Sequence, residues 1–391
     1  MTDLLATKRH LPFPNLGGEM GEEEIQAVVR ILRQVTADWR AGGFHRDPET
    51  TEFENAFAEY VGTRHAIAVN ANGTGLDIAM KMLDLQPGDE VITTPLTYCA
   101  TAWAIIAAGG TPVFADIDPR TYNMDPAAAE ACITSRTRAF FPIHNAGLSL
   151  DMEAFEALQE KYGLPVMIDA AHGIGGEYKG TKIGKRGALN VFSFQTGKNM
   201  TTLGEGGMIT TDNDEYARRA RRMRSFGWDN FDGVWDLAEP GFNYRMTKLQ
   251  AAVGKIQLGR VDYIAERRAY LAGLLTEHLA EVEELVTPYV PPGYKHAFYT
   301  YSLLVPEKWR GEKRDELIKR LQEDYGVGCA VHYLPLWHWK WMREHGYTAS
   351  GCPVADSVCY RIFCPALHSQ MTEDDIAYIA AALKATVAKL R

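Results

Sequence analysis

From His65 onward, short apolar runs alternate with longer stretches of helical spacing. Ala66–Val69, Glu90–Thr93, Pro112–Ala115, Ala139–Ile143 and Pro165–Ile168 are four or five residues each, bounded by polar or turn-forming positions, and read as buried strands. Leu76–Leu83, Thr101–Ala108 and Met152–Lys161 carry the helical pattern between them. Two further strand candidates, Asn190–Phe194 and Met208–Thr211, flank a glycine-rich segment. The alternation predicts an α/β domain with a mostly parallel, seven-stranded sheet covered by helices on both faces. Upstream, a helix opens at Gly21 with acids in its first turn and an apolar face of Ile25, Val28, Val29 and Leu32. A second starts near Thr50 and aligns Phe53, Phe57 and Tyr60.

The alternation ends near Asp212. One long helix is expected from Thr247 to about His278, then a strand at Tyr299–Val305, a helix at Asp315–Asp324, a strand near 327–331 and a closing helix from Thr372. This different pattern predicts a smaller C-terminal α+β domain. The expected division is an N-terminal arm and helix over 1–40, a large α/β domain over 41–262, and a connector helix with the small domain over 263–391.

At 391 residues the chain is long enough for more than one core, and 46% hydrophobic with 23% charged residues is ordinary for a globular protein. A net charge of −9 argues against a nucleic-acid partner. The basic cluster Arg218–Arg224 reads as the solvated face of a helix. Cys99, Cys132, Cys329, Cys352, Cys359 and Cys364 lack metal-ligand spacing and suggest reduced thiols in a cytoplasmic protein, with no metal expected. No signal-peptide pattern opens residues 1–14, and no apolar run is long enough to span a membrane.

Candidate chemistry gathers at strand ends, where open α/β sheets bind ligands. Lys198 lies between two buried strands, in Ser193-Phe-Gln-Thr-Gly-Lys198, just ahead of a glycine-rich turn. Desolvation or a nearby cation would free its amine for Schiff-base chemistry, although a surface lysine on a loop is the commoner explanation. Asn72-Gly-Thr74 opens a helix after a strand, so its amides and the Thr74 hydroxyl could hold a phosphate; an ordinary helix cap is the alternative. Ser193 could add a hydroxyl to the same anion. Asp169, at another strand end, could pair with a protonated ring nitrogen or simply cap the next segment. Tyr98 could stack on a planar ring or belong to the core. Together these are the parts that hold pyridoxal phosphate.

The ordered motifs resemble the DegT/DnrJ/EryC1/StrS family of pyridoxal-phosphate sugar aminotransferases of fold type I. The resemblance rests on Asn72-Gly-Thr74, Thr94-Pro-Leu-Thr-Tyr-Cys-Ala-Thr101, Pro112-Val-Phe-Ala-Asp-Ile-Asp118 with Tyr122-Asn-Met-Asp125, and Pro142-Ile-His144. It continues through Ile168-Asp-Ala-Ala-His172, Ser193 to Gly207, Gly241-Phe-Asn-Tyr-Arg-Met246 with Leu249-Gln-Ala-Ala252, and Val331-His-Tyr333, nearly the whole chain. It implies transfer of an amino group from an amino acid, glutamate or glutamine, to a keto-sugar (often nucleotide-linked) or a keto-cyclitol, with pyridoxamine phosphate as the aminated cofactor. Lys198 would form the Schiff base and shuttle the proton. Asp169 would pair with the pyridine nitrogen, Tyr98 stack on the ring, and His172 lie beside the phenolic oxygen. Ser193, Asn72, Gly73 and Thr74 would bind the phosphate. Asn243 resembles the residue that reaches the phosphate from a neighbouring subunit, implying a homodimer with shared sites.

Two departures accompany the resemblance. Many sugar aminotransferases have Ser-Phe-His-x-Thr-Lys, whereas Gln195 resembles the branch acting on keto-cyclitols and aminobenzoate precursors. The loop Asn72-Gly-Thr-Gly-Leu76 is also about one residue shorter than the common pattern. Gln195, His332 and His338 are further candidate substrate contacts. Arg245 could receive the donor carboxylate or form a structural ion pair. The tract Leu336-Trp-His-Trp-Lys-Trp341 could stack a base or sugar, or pack at an interface. A dehydratase on the same scaffold would replace the lysine with histidine, and a non-catalytic sensor would lose Lys198, Asp169 or the phosphate loop; the sequence shows none of these changes.

Overall fold

A computed structural model describes residues 4–38, 40, 43–44 and 48–391. Seven strands form the main sheet: β1 (His65–Val69), β2 (Glu90–Thr93), β3 (Thr111–Phe114), β4 (Thr137–Phe141), β5 (Met167–Asp169), β6 (Leu189–Ser193) and β7 (Gly207–Thr211). β3 and β4 flank β2 in parallel, and β5 pairs in parallel with β6. Parallel bridges Phe140–Val166 and Ile143–Asp169 join β4 to β5. β7 inserts antiparallel between β6 and β1. The order is therefore β3-β2-β4-β5-β6-β7-β1, with β7 alone reversed.

Alternating residues feed two cores, as the two-residue strand period requires. Ile67, Val69, Val191 and Ile209 pack with Leu76 of α3 (Asn72–Lys81) on one face. Ala66, Ala68, Phe192 and Met208 pack with Phe53 and Phe57 of α2 (Glu49–Val61) on the other. Gly75 lets α3 lie directly on the sheet, since an added Cβ would come within 2.5 Å of a Val191 methyl. The C-terminal part has its own antiparallel sheet, with Ile362–Pro365 between Leu303–Leu304 and Cys329–Ala330. Helices Glu312–Tyr325 and Glu373–Leu390 enclose a core that includes Tyr301, Trp309, Leu321 and Leu383. No described helix is long and apolar enough to cross a membrane.

Four expectations are corrected. α1 (Glu22–Ala37) buries Glu24, Ala27 and Ile31, leaving Ile25 and Leu32 exposed. Glu24 turns this face inward because it accepts from Arg260 at 2.6 Å and Gln257 at 2.8 Å. The long helix divides into Lys248–Leu258 and Val261–Leu279 at Gly259-Arg260. The strand expected over Tyr299–Val305 shortens to Leu303–Leu304, because the residues before it bond elsewhere: the Ala297 and Thr300 amides donate to Gly147 and Ala146 carbonyls. Beyond Asp212, where regular alternation was expected to stop, an exposed hairpin pairs Trp228–Phe231 with Val234–Leu237 through an Asp232-Gly233 turn of positive φ.

Phe57 is fully buried and meets Phe192, Phe194 and Phe53 at centroid distances of 5.1, 5.6 and 6.0 Å. Phe57→Ala is expected to destabilise the fold by about 3–5 kcal/mol, read by denaturant unfolding. A loss below 1 kcal/mol would show that the α2 face is not part of the cooperative core.

Candidate active site

A cavity of about 460 Å³ opens at the carboxyl ends of the parallel strands. Asn72 and Gly73 reach it from the turn after β1, Tyr98 from the loop after β2, Asp169 and His172 from the end of β5, and Ser193, Gln195 and Lys198 from the end of β6. Tyr299, His332 and Tyr333 close it from the C-terminal part. Three larger cavities, of about 740, 730 and 530 Å³, contain neither a buried lysine nor a buried acid. Chemistry rather than size therefore assigns the site.

Lys198 is only 9% exposed, and its Nζ lies 4.1 Å from the centroid of the Tyr299 ring. Among the described residues no carboxylate forms an ion pair with it. The local chain holds it there: the Lys198 amide donates to Gln195, Thr196 to Gly204 and the Thr201 hydroxyl to the Phe194 carbonyl. Gly17 presses so closely on the carbonyls of Gly197 and Lys198 that a Cβ would collide with both. Behind it, buried Arg268 donates to the Gly17 carbonyl at 3.2 Å.

Asp169 is buried and accepts from the Thr101 hydroxyl at 2.8 Å, the Ala171 amide at 3.1 Å and Asn72 Nδ2 at 3.4 Å. Burial raises its pKa above the ordinary carboxylate value, against the opposing pull of these donors and of Lys198. A cationic ring nitrogen would reverse that balance. Asn72 also donates to the Val191 carbonyl at 3.1 Å, which ties α3 to β6.

His172 lies stacked on Tyr299, 4.3 Å between centroids, with Nε2 3.1 Å from the Tyr333 hydroxyl. Its Nδ1 is buried without a partner. Burial, then the charge of Lys198, holds the ring's pKa well below the ordinary histidine value. His332, stacked on Phe13 at 5.5 Å, is lowered to about 4 for the same reasons. Tyr333 is pushed upward by burial, so its hydroxyl keeps its proton.

α3 starts at Asn72 with Ala71 as its cap, and no side chain caps its first amides. A Cβ on Gly73 would meet nothing within 4 Å, so the helix end faces open space. Gly207 is required beside it, because a Cβ there would sit 2.8–2.9 Å from Ala71 and Asn72 backbone atoms. An uncapped helix N-terminus with Ser193 nearby is suited to a phosphate. The buried acid, buried amine, anion site and orphaned His172 nitrogen thus fit pyridoxal phosphate. Tyr98, at the start of α4 (Cys99–Ala107), is 61% exposed and available as a ring platform.

Several predicted residues do not join this cavity. The Thr74 hydroxyl is engaged with Asn70 Oδ1 and the Ala71 carbonyl, both at 2.8 Å. His338 lies on the Tyr360 hydroxyl at 3.3 Å and packs edge-on to Trp339. Arg245 lines the 740 Å³ cleft, with its guanidinium 5.3 Å from the Phe226 ring centroid. Asn243 is exposed; its carbonyl accepts from Asn70 Nδ2 at 3.4 Å and its backbone bridges Ser225. Gln195 and His332 do line the cavity. Sequence reasoning missed Thr101 as the support of Asp169, and it missed Tyr299, Tyr333 and Glu205 in the wall.

Fold and cavity together define a pyridoxal-phosphate enzyme of fold type I. The chain belongs to the DegT/DnrJ/EryC1/StrS aminotransferase family, which matches residues 19–384. It is 39% identical over 367 residues to the spore coat polysaccharide biosynthesis protein SpsC of Bacillus subtilis, covering 91% of this chain and 92% of SpsC. Helicobacter pylori PseC, an aminotransferase involved in the biosynthesis of pseudoaminic acid, superposes with a TM-score of 0.89 at 25% identity, covering 97% of this chain and 100% of PseC. The sugar aminotransferase Spr1654 of Streptococcus pneumoniae, described as putative and solved in its PMP form, also gives 0.89 at 25% identity over 98% of both chains. A PLP form of Spr1654 is known as well.

Three buried histidines and half-buried His332 are held neutral: burial lowers His144 and His296 to about 3, His332 to about 4, and His172 well below the ordinary histidine value. Unfolded histidines titrate near 6.5, so the unfolded chain binds more protons below that pH. Their stabilising contribution is present above about pH 6.5 and is lost as pH falls through 4 toward 3. The melting temperature of the cofactor-free protein is expected to fall steadily from pH 6.5 to 4. A flat profile would show that these rings are solvated.

Proposed function

We propose that this pyridoxal-phosphate-dependent aminotransferase moves an amino group from glutamate or glutamine to a ketone on a sugar or cyclitol. The observation that carries the reading is the buried, unpaired Lys198 amine beside buried Asp169 and the uncapped start of α3. The names of SpsC and PseC, both tied to glycan or sugar biosynthesis, support a sugar acceptor. Gln195 at the cavity wall keeps a cyclitol acceptor in view.

When bound, pyridoxal phosphate supplies an aldehyde to carry the amino group and a ring that accepts an electron pair. In this reading Lys198 Nζ would hold the cofactor through that aldehyde, with loss of water, and as a free amine would carry the proton to or from the reacting carbon. Asp169 would keep the ring nitrogen protonated, Gly73 and Asn72 amides with Ser193 would hold the phosphate, and Tyr98 would cover the ring. Neutral His172 and protonated Tyr333 add hydrogen bonds without adding charge. We assign the cofactor phosphate, through Asn243, and the donor carboxylate, through Arg245, to the neighbouring subunit's site. Both residues are unengaged by their own cavity, and the exposed apolar hairpin beside them suits a homodimer contact. The division at 1–40, 41–262 and 263–391 fits Val261 packing with the main sheet and Leu271 with the C-terminal core; residue 41 lies outside the described residues.

Mixing the holoenzyme with glutamate alone should convert bound pyridoxal phosphate to the pyridoxamine form with release of the keto acid. Failure with glutamate, glutamine and other amino acids would reject aminotransfer. Asp169→Asn is expected to slow that half-reaction by ~10²-fold or more while the fold persists. Inactive Lys198→Ala and Asn243→Ala chains, mixed and allowed to exchange, should regain up to about a quarter of wild-type activity if each site draws on both chains. No recovery despite demonstrated exchange would reject the shared site.

A further inference from the structure

A second cavity of about 530 Å³ adjoins the catalytic one, and the two share Tyr98 and Tyr333 as a common wall. Trp103, Trp339, Trp341, Leu334 and Met342 supply most of its lining, and no lining residue is charged. Its walls are fixed by packing. Trp103 and Trp341 meet edge to face at 4.6 Å, and Trp341 stacks on His345 at 3.7 Å. Trp339 remains 52% exposed. Trp337, from the same tract, is instead buried against Phe114 at 6.1 Å and belongs to the core. The tract therefore divides between one structural tryptophan and two that face open space.

We propose that Trp103, Trp339 and Trp341 form an acceptor subsite that takes a neutral aromatic ring carried by the acceptor beyond its reacting ketone. This rests on the reading that the acceptor reaches Lys198 past Tyr98. Continuity with the catalytic cavity selects a substrate substituent as the occupant, because anything seated there touches the side chains that also border the reaction site. Indole faces and edges offer specific contacts to an aromatic ring, and the hydroxyls of Tyr98 and Tyr333 provide the few polar groups that orient such ligands. A diphosphate is disfavoured at this place, since a desolvated charge would find no cationic partner among the lining residues. The subsite thus sets specificity through the non-reacting end of the acceptor.

The test is calorimetric titration of the holoenzyme with 4-nitrophenyl β-D-glucoside, methyl β-D-glucoside and inorganic pyrophosphate, a diphosphate without a ring, as probes. The aryl glucoside should bind more tightly than the methyl glucoside. Trp339→Ala and Trp341→Ala should each weaken the aryl glucoside by roughly 3- to 10-fold and leave the methyl glucoside unchanged. Thermal melting checks the fold of each variant; half-exposed Trp339 keeps the test available if Trp341→Ala unfolds. Equal affinity for the two glucosides, tryptophan variants without effect, or tighter Trp339-dependent binding of the diphosphate would overturn the subsite. So would variants that change only the oligomeric state, which would make the cavity a contact with a second copy. The glutamate half-reaction of the unmodified enzyme is measured alongside. Its absence rejects aminotransfer itself, whereas failure of the aryl probe with that half-reaction intact rejects only the subsite.

Discussion

An amine kept out of water without an acid partner is the constraint around which this molecule is arranged. Lys198 has a tyrosine face beneath it and two neutral histidines nearby, and Asp169 feels its charge without forming an ion pair with it. Such a group is expensive to bury unless it is consumed by chemistry or balanced by a ligand. Asp169 has the complementary problem: burial disfavours its charge, and three donors only partly offset that. One cofactor bearing an aldehyde, a basic ring nitrogen and a phosphate would relieve the amine, the acid and the uncapped helix together.

The surrounding fold serves close approach. Gly75 seats α3 on the sheet, Gly207 brings β7 against the start of that helix, and Gly17 brings the N-terminal arm against the lysine loop. Each contact would be blocked by a single Cβ, so the helix terminus and the lysine are placed by backbone against backbone. Side chains then tune the electrostatics. Neutral His172 and protonated Tyr333 add no charge of their own to a cavity that Lys198, Asp169 and Glu205 already line. The adjoining uncharged cavity extends the same division, with chemistry at one side of Tyr98 and selection at the other.

Much of this was legible in the chain because its signals are local. Seven short apolar runs marked the seven strands, and strand-end residues Asn72, Asp169, Ser193 and Lys198 converge because parallel strands share one carboxyl edge. The failures have equally physical causes. α1 looked apolar along Ile25 and Leu32, yet an ion pair from distant Arg260 decided which face turned inward. The Thr74 hydroxyl, read as a phosphate ligand or an ordinary cap, closes on its own helix start. Tyr299 and Thr101 reach Lys198 and Asp169 only through contacts far along the chain, so no spacing announced them. The hairpin at Asp232-Gly233 was the exception, since its turn dipeptide and flanking aromatics were visible and went unread.

The central claim is that Lys198 is the amine that bonds the cofactor. Borohydride reduction of the cofactor-loaded protein, followed by peptide mapping, tests it directly. The account predicts a cofactor label on the peptide carrying Lys198 and no covalent label in Lys198→Ala. Label on a different lysine, or undiminished label in that variant, would contradict it.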